Sequence, residues 1–436
     1  MTTQTQTINA TTGNFLHKLT KATRKQIIGV FLVFVGVVVL YQAGNSLDSS
    51  TRSILTFEAG DVEDVPHIVV HTLTFLSLTG ILFVVSGIGA FVEHQSFRRI
   101  GMSLLILSAI LVPPALLVAA SSGGRTNATT MLTESLRLAT PIAIGAMAGI
   151  WCERSGVINI AIEGMMLFAA GFGFAALFFL RGAMPDNQAL FIAVLVAVGV
   201  GGLAALLHAW LSITFRTDQI ISGTVLNIMA VGVTSFVRRE YLASTEAGSI
   251  TLPRVSIPIL KEIPILGDTL FNSQPIFYLM FVIILLTQVM LFYTRWGLRV
   301  RAVGEHPSAA DTLGIDVNRT RWVNVFVAGL IAGLAGAWFS LEATGRFNDS
   351  MTGGAGFIAL AAMIFGKWTP FGAFGAALLF GFSNALGTRL QIEDVGMPSQ
   401  FLQMVPYIVT LVVLAGFIGH AFPPKAIGQP YVKEGQ

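Results

Sequence analysis

Long apolar runs separated by short polar segments follow one another along most of this chain. Their lengths fit the roughly 20 residues that an α-helix needs to cross a bilayer core. The pattern predicts spans over Ile27–Ala43, Ile68–Val92, Ile100–Ala120, Leu132–Trp151, Val157–Leu180, Ala189–Phe215, Ile220–Val237, Pro275–Thr294 and Trp322–Leu341, then three apolar stretches between Gly353 and His420. Period-two alternation is absent, and backbone inside lipid must satisfy its own hydrogen bonds. The expected fold class is therefore all-α, a polytopic helical membrane protein of about 11 spans plus a re-entrant segment.

Composition agrees: 54% of the 436 residues are hydrophobic and 11% charged, against roughly 25% charged in a soluble domain. The net charge of +3 does not point to nucleic acid, because Lys and Arg sit in short loops where they orient the chain in a lipid bilayer. A single cysteine, Cys152, excludes an internal disulfide framework and multi-cysteine metal sites.

Charge also sets the topology. Lys18, Lys21, Arg24 and Lys25 precede the first run, which reads as a signal anchor with a cytoplasmic N-terminus. The loop from Gln42 to His67 is acidic and external; the next, with Arg98 and Arg99, is internal. Alternation then places 238–274 outside and the arginine-rich 295–321 inside. One late stretch is expected to turn round in the membrane; Gly353–Phe365, short and opening Gly-Gly-Ala-Gly, is the candidate. The resulting organisation is a cytoplasmic tail (1–26), a three-helix extension (27–120), an external linker (121–130), a transmembrane core (131–420) containing the cytoplasmic loop 295–321, and a second cytoplasmic tail (421–436).

Two segments echo each other. Gly145–Trp151 (GAMAGIW) and Ala332–Trp338 (AGLAGAW) each close a span and precede a polar, glycine-containing interruption. Their predicted directions are opposite, as in an inverted repeat flanking a midplane site. Gly145/Gly149 and Gly329/Gly333 have the small-residue spacing that lets helix backbones approach.

The first interruption, ERSGVINIAIEG, carries the candidate chemistry. Ser155, Gly156 and Asn159 break a helix there, and a charge in hydrocarbon costs about 2.5–3.5 kcal/mol. Asn159 and Glu163 are therefore expected to line a polar path, while Glu153 and Arg154 read equally well as a solvated turn. Gln219, Ser222 and Asn227 fall near one helical face, suited either to a polar solute or to interhelical hydrogen bonds. His208, alone in an apolar helix, reads as a structural histidine. Glu342, Arg346 and Asp349 suggest a salt-bridged external turn, and Lys367 with Trp368 an interfacial anchor. In the arginine-rich loop, Pro307 and Gly314 bracket a short helix lying on the cytoplasmic face. No phosphate-binding loop and no protease or hydrolase motif occurs.

Four ordered segments, ERSGVINIAIEGMML, DQIISGTVLNIMAVGVT, GLRVRAVGEHPSAADTLGIDV and GGAGFIALAAMIFGKWTPFGA, resemble the permease subunits of bacterial ABC importers in the branched-chain amino acid/ribose permease superfamily, most closely its nucleoside and simple-sugar branch. The resemblance implies a second permease subunit, a cytoplasmic ABC ATPase, an extracytoplasmic solute-binding protein, and residence in a bacterial or archaeal plasma membrane. It implies that Gly297, Arg301, Gly304, Glu305, Pro307, Ala310 and Gly314 belong to the loop that docks the ATPase. No cofactor is expected on this chain, ATP and Mg residing on the ATPase. Nucleosides come first as solute because neutral Asn, Gln and Ser groups suit ribose and base edges; simple sugars come next and branched-chain amino acids third. An ion-coupled secondary transporter and a non-transporting scaffold are the rival classes. These permeases begin near the fourth span, so 1–120 is an addition to the family pattern.

Overall fold

The computed structural model describes residues 24–46, 51–57, 67–92, 97–121, 124–242, 250–263, 266–392, 404 and 422–433. Contacts divide the chain into two compact units, Met1–Thr129 with Leu386–Gly419, and Thr130–Ala385 with His420–Gln436. The apolar stretch expected after residue 392 lies outside the described residues, Met404 excepted.

In the first unit, α1 (Arg24–Ser46), α2 (Thr72–Gly89) and α3 (Phe97–Ser121) pack through small residues and hydroxyls. A Cβ at Gly36 or Gly87 would strike the Gly80 or Gly29 carbonyl, and Ser108 bonds Ser86 at 2.8 Å. A small sheet joins them, which the polarity pattern did not predict. Strand β1 (Arg52–Thr56) pairs antiparallel with β2 (His67–His71) and parallel with β3 (Arg125–Asn127), in the order β2-β1-β3. Ile68–His71 at the start of the second predicted span is thus strand, and part of the expected linker is strand too. Both are too short for a periodicity signal to register.

The second unit holds most of α4 (Ala128–Glu153), then α5 (Ile162–Leu180), α6 (Asp186–Ala209), α7 (Gln219–Val237), a one-turn α8 (Leu266–Leu270), α9 (Pro275–Tyr293), α10 (Arg295–Glu305), α11 (Pro307–Thr312), α12 (Val317–Ala337), α13 (Ala355–Phe365) and most of α14 (Pro370–Ile392). Helices α6, α7 and α12 each continue into a wider π-helical turn, the last over Trp338–Thr344. Among the described residues, eight helices are long and apolar enough to cross a membrane. The predicted glycine pairs do permit close approach. Gly329 and Gly333 meet Gly201, Ala205 and Ala197 of α6, while Gly145 and Gly149 meet Ala359 and Met363 of α13.

The two echoed helices run in opposite directions. Helix α4 ends at the arginine-rich end, where Arg154 stacks on Phe292 at the close of α9. Helix α12 begins there, with Arg321 donating to the Ser155 carbonyl at 3.3 Å, and finishes at the opposite end. There the Glu342 carboxylate, 1% exposed, accepts the Ile276 amide of α9 at 2.7 Å. Glu342 is thus a helix cap and not part of a salt-bridged turn; Asp349 does pair with Arg238 at 2.7 Å, and that hydrogen bond holds the Asp349 carboxyl below its ordinary pKa. The expected turn-round at Gly353–Phe365 is met in part. Helix α13 has 11 residues, about 16 Å, too short to span. It does not fold back, however: residue 345 lies against Ile250 near the Glu342 end, and Trp368 after α13 bonds Glu153 at the arginine-rich end. The stretch is an interrupted crossing, half irregular and half helix. Glu342→Ala should leave buried α9 amides unpaired, at about 1–3 kcal/mol, and lower the melting temperature in detergent. An unchanged melting temperature would contradict the capping role.

Candidate functional site

The two interruptions meet. After α4, Gly156 adopts φ 91°, a left-handed turn that glycine enters without a Cβ penalty, and residues 157–161 run back beside α4. Ile162 lies against Gly145 and Gly149, so α5 begins about 6–12 Å inward of Glu153 at 1.5 Å per residue. In the first turn of α5, Glu163 accepts the Thr352 hydroxyl at 2.6 Å, the Gly354 amide at 2.9 Å and the Gly356 amide at 2.7 Å. Those amides open α13. One carboxylate therefore sits at the N-termini of two broken crossings, where the helix dipoles favour negative charge. Each charge-assisted bond is worth about 1.5–3 kcal/mol.

Neighbouring side chains satisfy the interrupted backbone. Gln219 accepts the Ile158 amide at 2.7 Å. Asn227 accepts the Gly164 amide at 2.7 Å and donates to the Ile160 carbonyl at 3.0 Å. Ser222 bonds His208 at 3.1 Å, whose other ring nitrogen meets the Ile158 carbonyl at 2.9 Å. Of the two uses foreseen for Gln219, Ser222 and Asn227, the structure displays the interhelical one, while His208 is the buried structural residue anticipated. Asn159 is fully buried. Among the described residues its side-chain amide nitrogen reaches only the Met165 sulfur, at 3.8 Å, and its side-chain oxygen has no partner.

A second polar cluster lies at the arginine-rich end. Gly297 opens α10, its amide capped by the Thr294 hydroxyl at 3.1 Å. Arg301 and Arg154 both stand over the Phe292 ring, at 5.2 and 5.4 Å. Gly304 is pressed against Arg154, whose carbonyl a Cβ would strike, and Glu305 accepts the Lys425 amide at 3.3 Å. Pro307 starts α11, Gly314 follows it at φ 79°, and Ala310 is buried with Val303, Val317 and Tyr431. The bracketed short helix is as its sequence predicts. Beside it opens a cleft of about 560 Å³ lined by Trp296, Arg299, Leu313, Asp316 and Arg319, with Leu313 82% exposed.

Glu153 and Arg154 are not a solvated turn. Glu153 is buried and accepts the Trp368 indole at 2.7 Å; Arg154 donates to the Trp368 carbonyl at 3.0 Å, and burial followed by the Arg301 charge lowers its pKa. Trp368 is correspondingly buried and no interfacial anchor. Sequence reasoning passed over Arg321 and residues 425–431. Arg321 interrupts no apolar run, and the tail mixes Ala426, Ile427 and Tyr431 with polar residues over too short a stretch for a periodic pattern, so neither leaves a signal.

Two interrupted crossings converging on a polar junction within a bundle of apolar helices define a polytopic membrane permease. Residues 131–414 match the family described as branched-chain amino acid transport system, permease component, and the chain belongs to that family. It is 40% identical to the guanosine ABC transporter permease protein NupQ of Bacillus subtilis, over 70% of this chain and 96% of the relative. It is 38% identical to the nucleoside ABC transporter permease protein NupC of Lactococcus lactis, over 70% and 96%. It is 31% identical to a putative glucose ABC transporter permease of Haloferax volcanii, over 65% and 90%. No solved structure matches the chain.

Proposed function

We propose that this chain is the transmembrane subunit of an ABC importer for nucleosides, with simple sugars the second solute class. The convergence of both interruptions on Glu163 carries the reading. It supplies a dismountable polar junction at depth, where parting the two helix ends would free amides, carbonyls and a carboxylate for a polar solute or its water. Asn159, with its unpaired oxygen, and Gln219, Ser222 and Asn227, which line the same interruption, would be uncovered by that motion. The preference for nucleosides rests on the names and higher identity of the guanosine and nucleoside permeases.

The cleft and the exposed Leu313 suit docking of a separate ATPase, which would carry ATP and Mg. The exposed apolar face of α7, including Ile221 and Ile228, suits lipid or a second permease subunit. An external binding protein would deliver solute. A bacterial or archaeal plasma membrane suits such a subunit, and Lys18, Lys21, Arg24 and Lys25 favour a cytoplasmic N-terminus. Uptake of labelled guanosine, adenosine, cytidine and glucose, compared with and without the gene, should show that ATP-dependent nucleoside uptake is lost without it. Uptake surviving the deletion would sink the reading, as would uptake that collapses with an uncoupler while ATP persists.

A further inference from the structure

Residues 422–433 have no helix or strand of their own, yet their backbone is bonded at both ends of one short path. The Ala426 amide donates to the Gly304 carbonyl at 2.9 Å, and the Gly428 amide to the Gly156 carbonyl at 3.0 Å. The first contact is with the last turn of α10, the second with the interruption that leads to Glu163. Arg321, 2% exposed, donates to the Gln429 carbonyl at 2.9 Å and the Ser155 carbonyl at 3.3 Å, gripping tail and interruption together. Tyr431 is buried in one apolar cluster with Val303, Ala310 and Val317, which belong to α10, α11 and α12.

From this geometry we infer that the C-terminal tail is a positioning strap that couples the α10–α11 loop to the interrupted segment. The inference rests on the importer reading above and adds to it an element of this chain. An α10–α11 unit displaced by a partner would pull Ala426 through Gly304 and press on Tyr431. Two residues on, Gly428 would draw on Gly156, and Ile158, held by Gln219 and His208, is the next link toward Glu163. Main-chain bonds carry both ends of the strap. Loop 295–316 also meets the interruption directly at Gly304, so the strap is a second, parallel connection.

The test uses the whole transporter purified through an N-terminal tag on this chain and reconstituted in vesicles, with labelled guanosine as probe. The variants are Tyr431→Ala, Tyr431→Phe, Ala426→Pro, which removes the amide donated to Gly304, and deletion of 422–436. Tyr431→Ala, Ala426→Pro and the deletion should keep the ATPase bound and hydrolysing, while guanosine moved per ATP falls about tenfold, the effect of one lost hydrogen bond or packed ring. Tyr431→Phe keeps the buried ring and should lose less than Tyr431→Ala. An unchanged transport-to-hydrolysis ratio in the deletion overturns the inference. So does loss of the ATPase from Tyr431→Ala and Ala426→Pro, which would make the tail a docking support. A second measurement does not depend on the solute: nucleotide trapping should change amide exchange of residues 154–161 more in the wild type than in the deletion, where only the direct Gly304 contact remains, and an equal change in both overturns the strap. Wild-type vesicles that take up no nucleoside would sink the importer reading while leaving this exchange result to judge the tail.

Discussion

Glu163→Ala is expected to reduce solute uptake more than any other single change in the deep junction, with membrane abundance near the wild-type level. The substitution strands the Thr352 hydroxyl and the Gly354 and Gly356 amides. At about 1–3 kcal/mol for each buried donor left unpaired, the contact between the two interruptions should open or drift, and uptake should fall by about tenfold to a hundredfold or more. Glu163→Gln should fall between the two, since its amide keeps one acceptor and turns a donor toward another donor. Uptake kinetics normalised to immunoblotted protein measure this; wild-type kinetics in Glu163→Ala would show that the junction takes no part in transport.

Gly304→Ala should have the second largest effect, at the other end of the interruption. The new methyl group would strike the Arg154 carbonyl oxygen, a backbone atom that cannot swing aside as a side chain would. Forcing a carbon into a filled site costs about 1–3 kcal/mol. Relief must come from lifting α10 away from the interruption, which also lengthens the Ala426-to-Gly304 bond. The atoms struck belong to Arg154, and none belongs to α11 or Leu313. The ATPase should therefore still co-purify while uptake falls about tenfold. Retention of both would remove this contact from the mechanism, and loss of both would mean that Gly304 serves folding alone.

The structure also explains why Glu163 was foreseen as polar lining and is found as a tie. The cost of a carboxylate at depth was legible from its apolar flanks, Ile160, Ile162 and Met165. The groups that meet that cost stand 189 to 193 residues away in sequence, and no local pattern names them. Gln219 and Asn227 tell the same story at shorter range: their helical face follows from spacing, but their targets are backbone atoms of residues 158, 160 and 164.

Local and additive physics settled what the sequence alone determines here. Hydropathy over some twenty residues predicts spans; Ser155, Gly156 and Asn159 mark a break; Pro307 and Gly314 bracket α11. Tertiary structure alone decided that the two breaks meet, that Glu342 caps α9, that Trp368 buries itself on Glu153, and that the tail is laid between Gly304 and Gly156. Each of these rests on one or a few hydrogen bonds between distant residues. Their worth depends on which buried donors and acceptors packing has left without a nearer partner, and that is known only once every helix is in place.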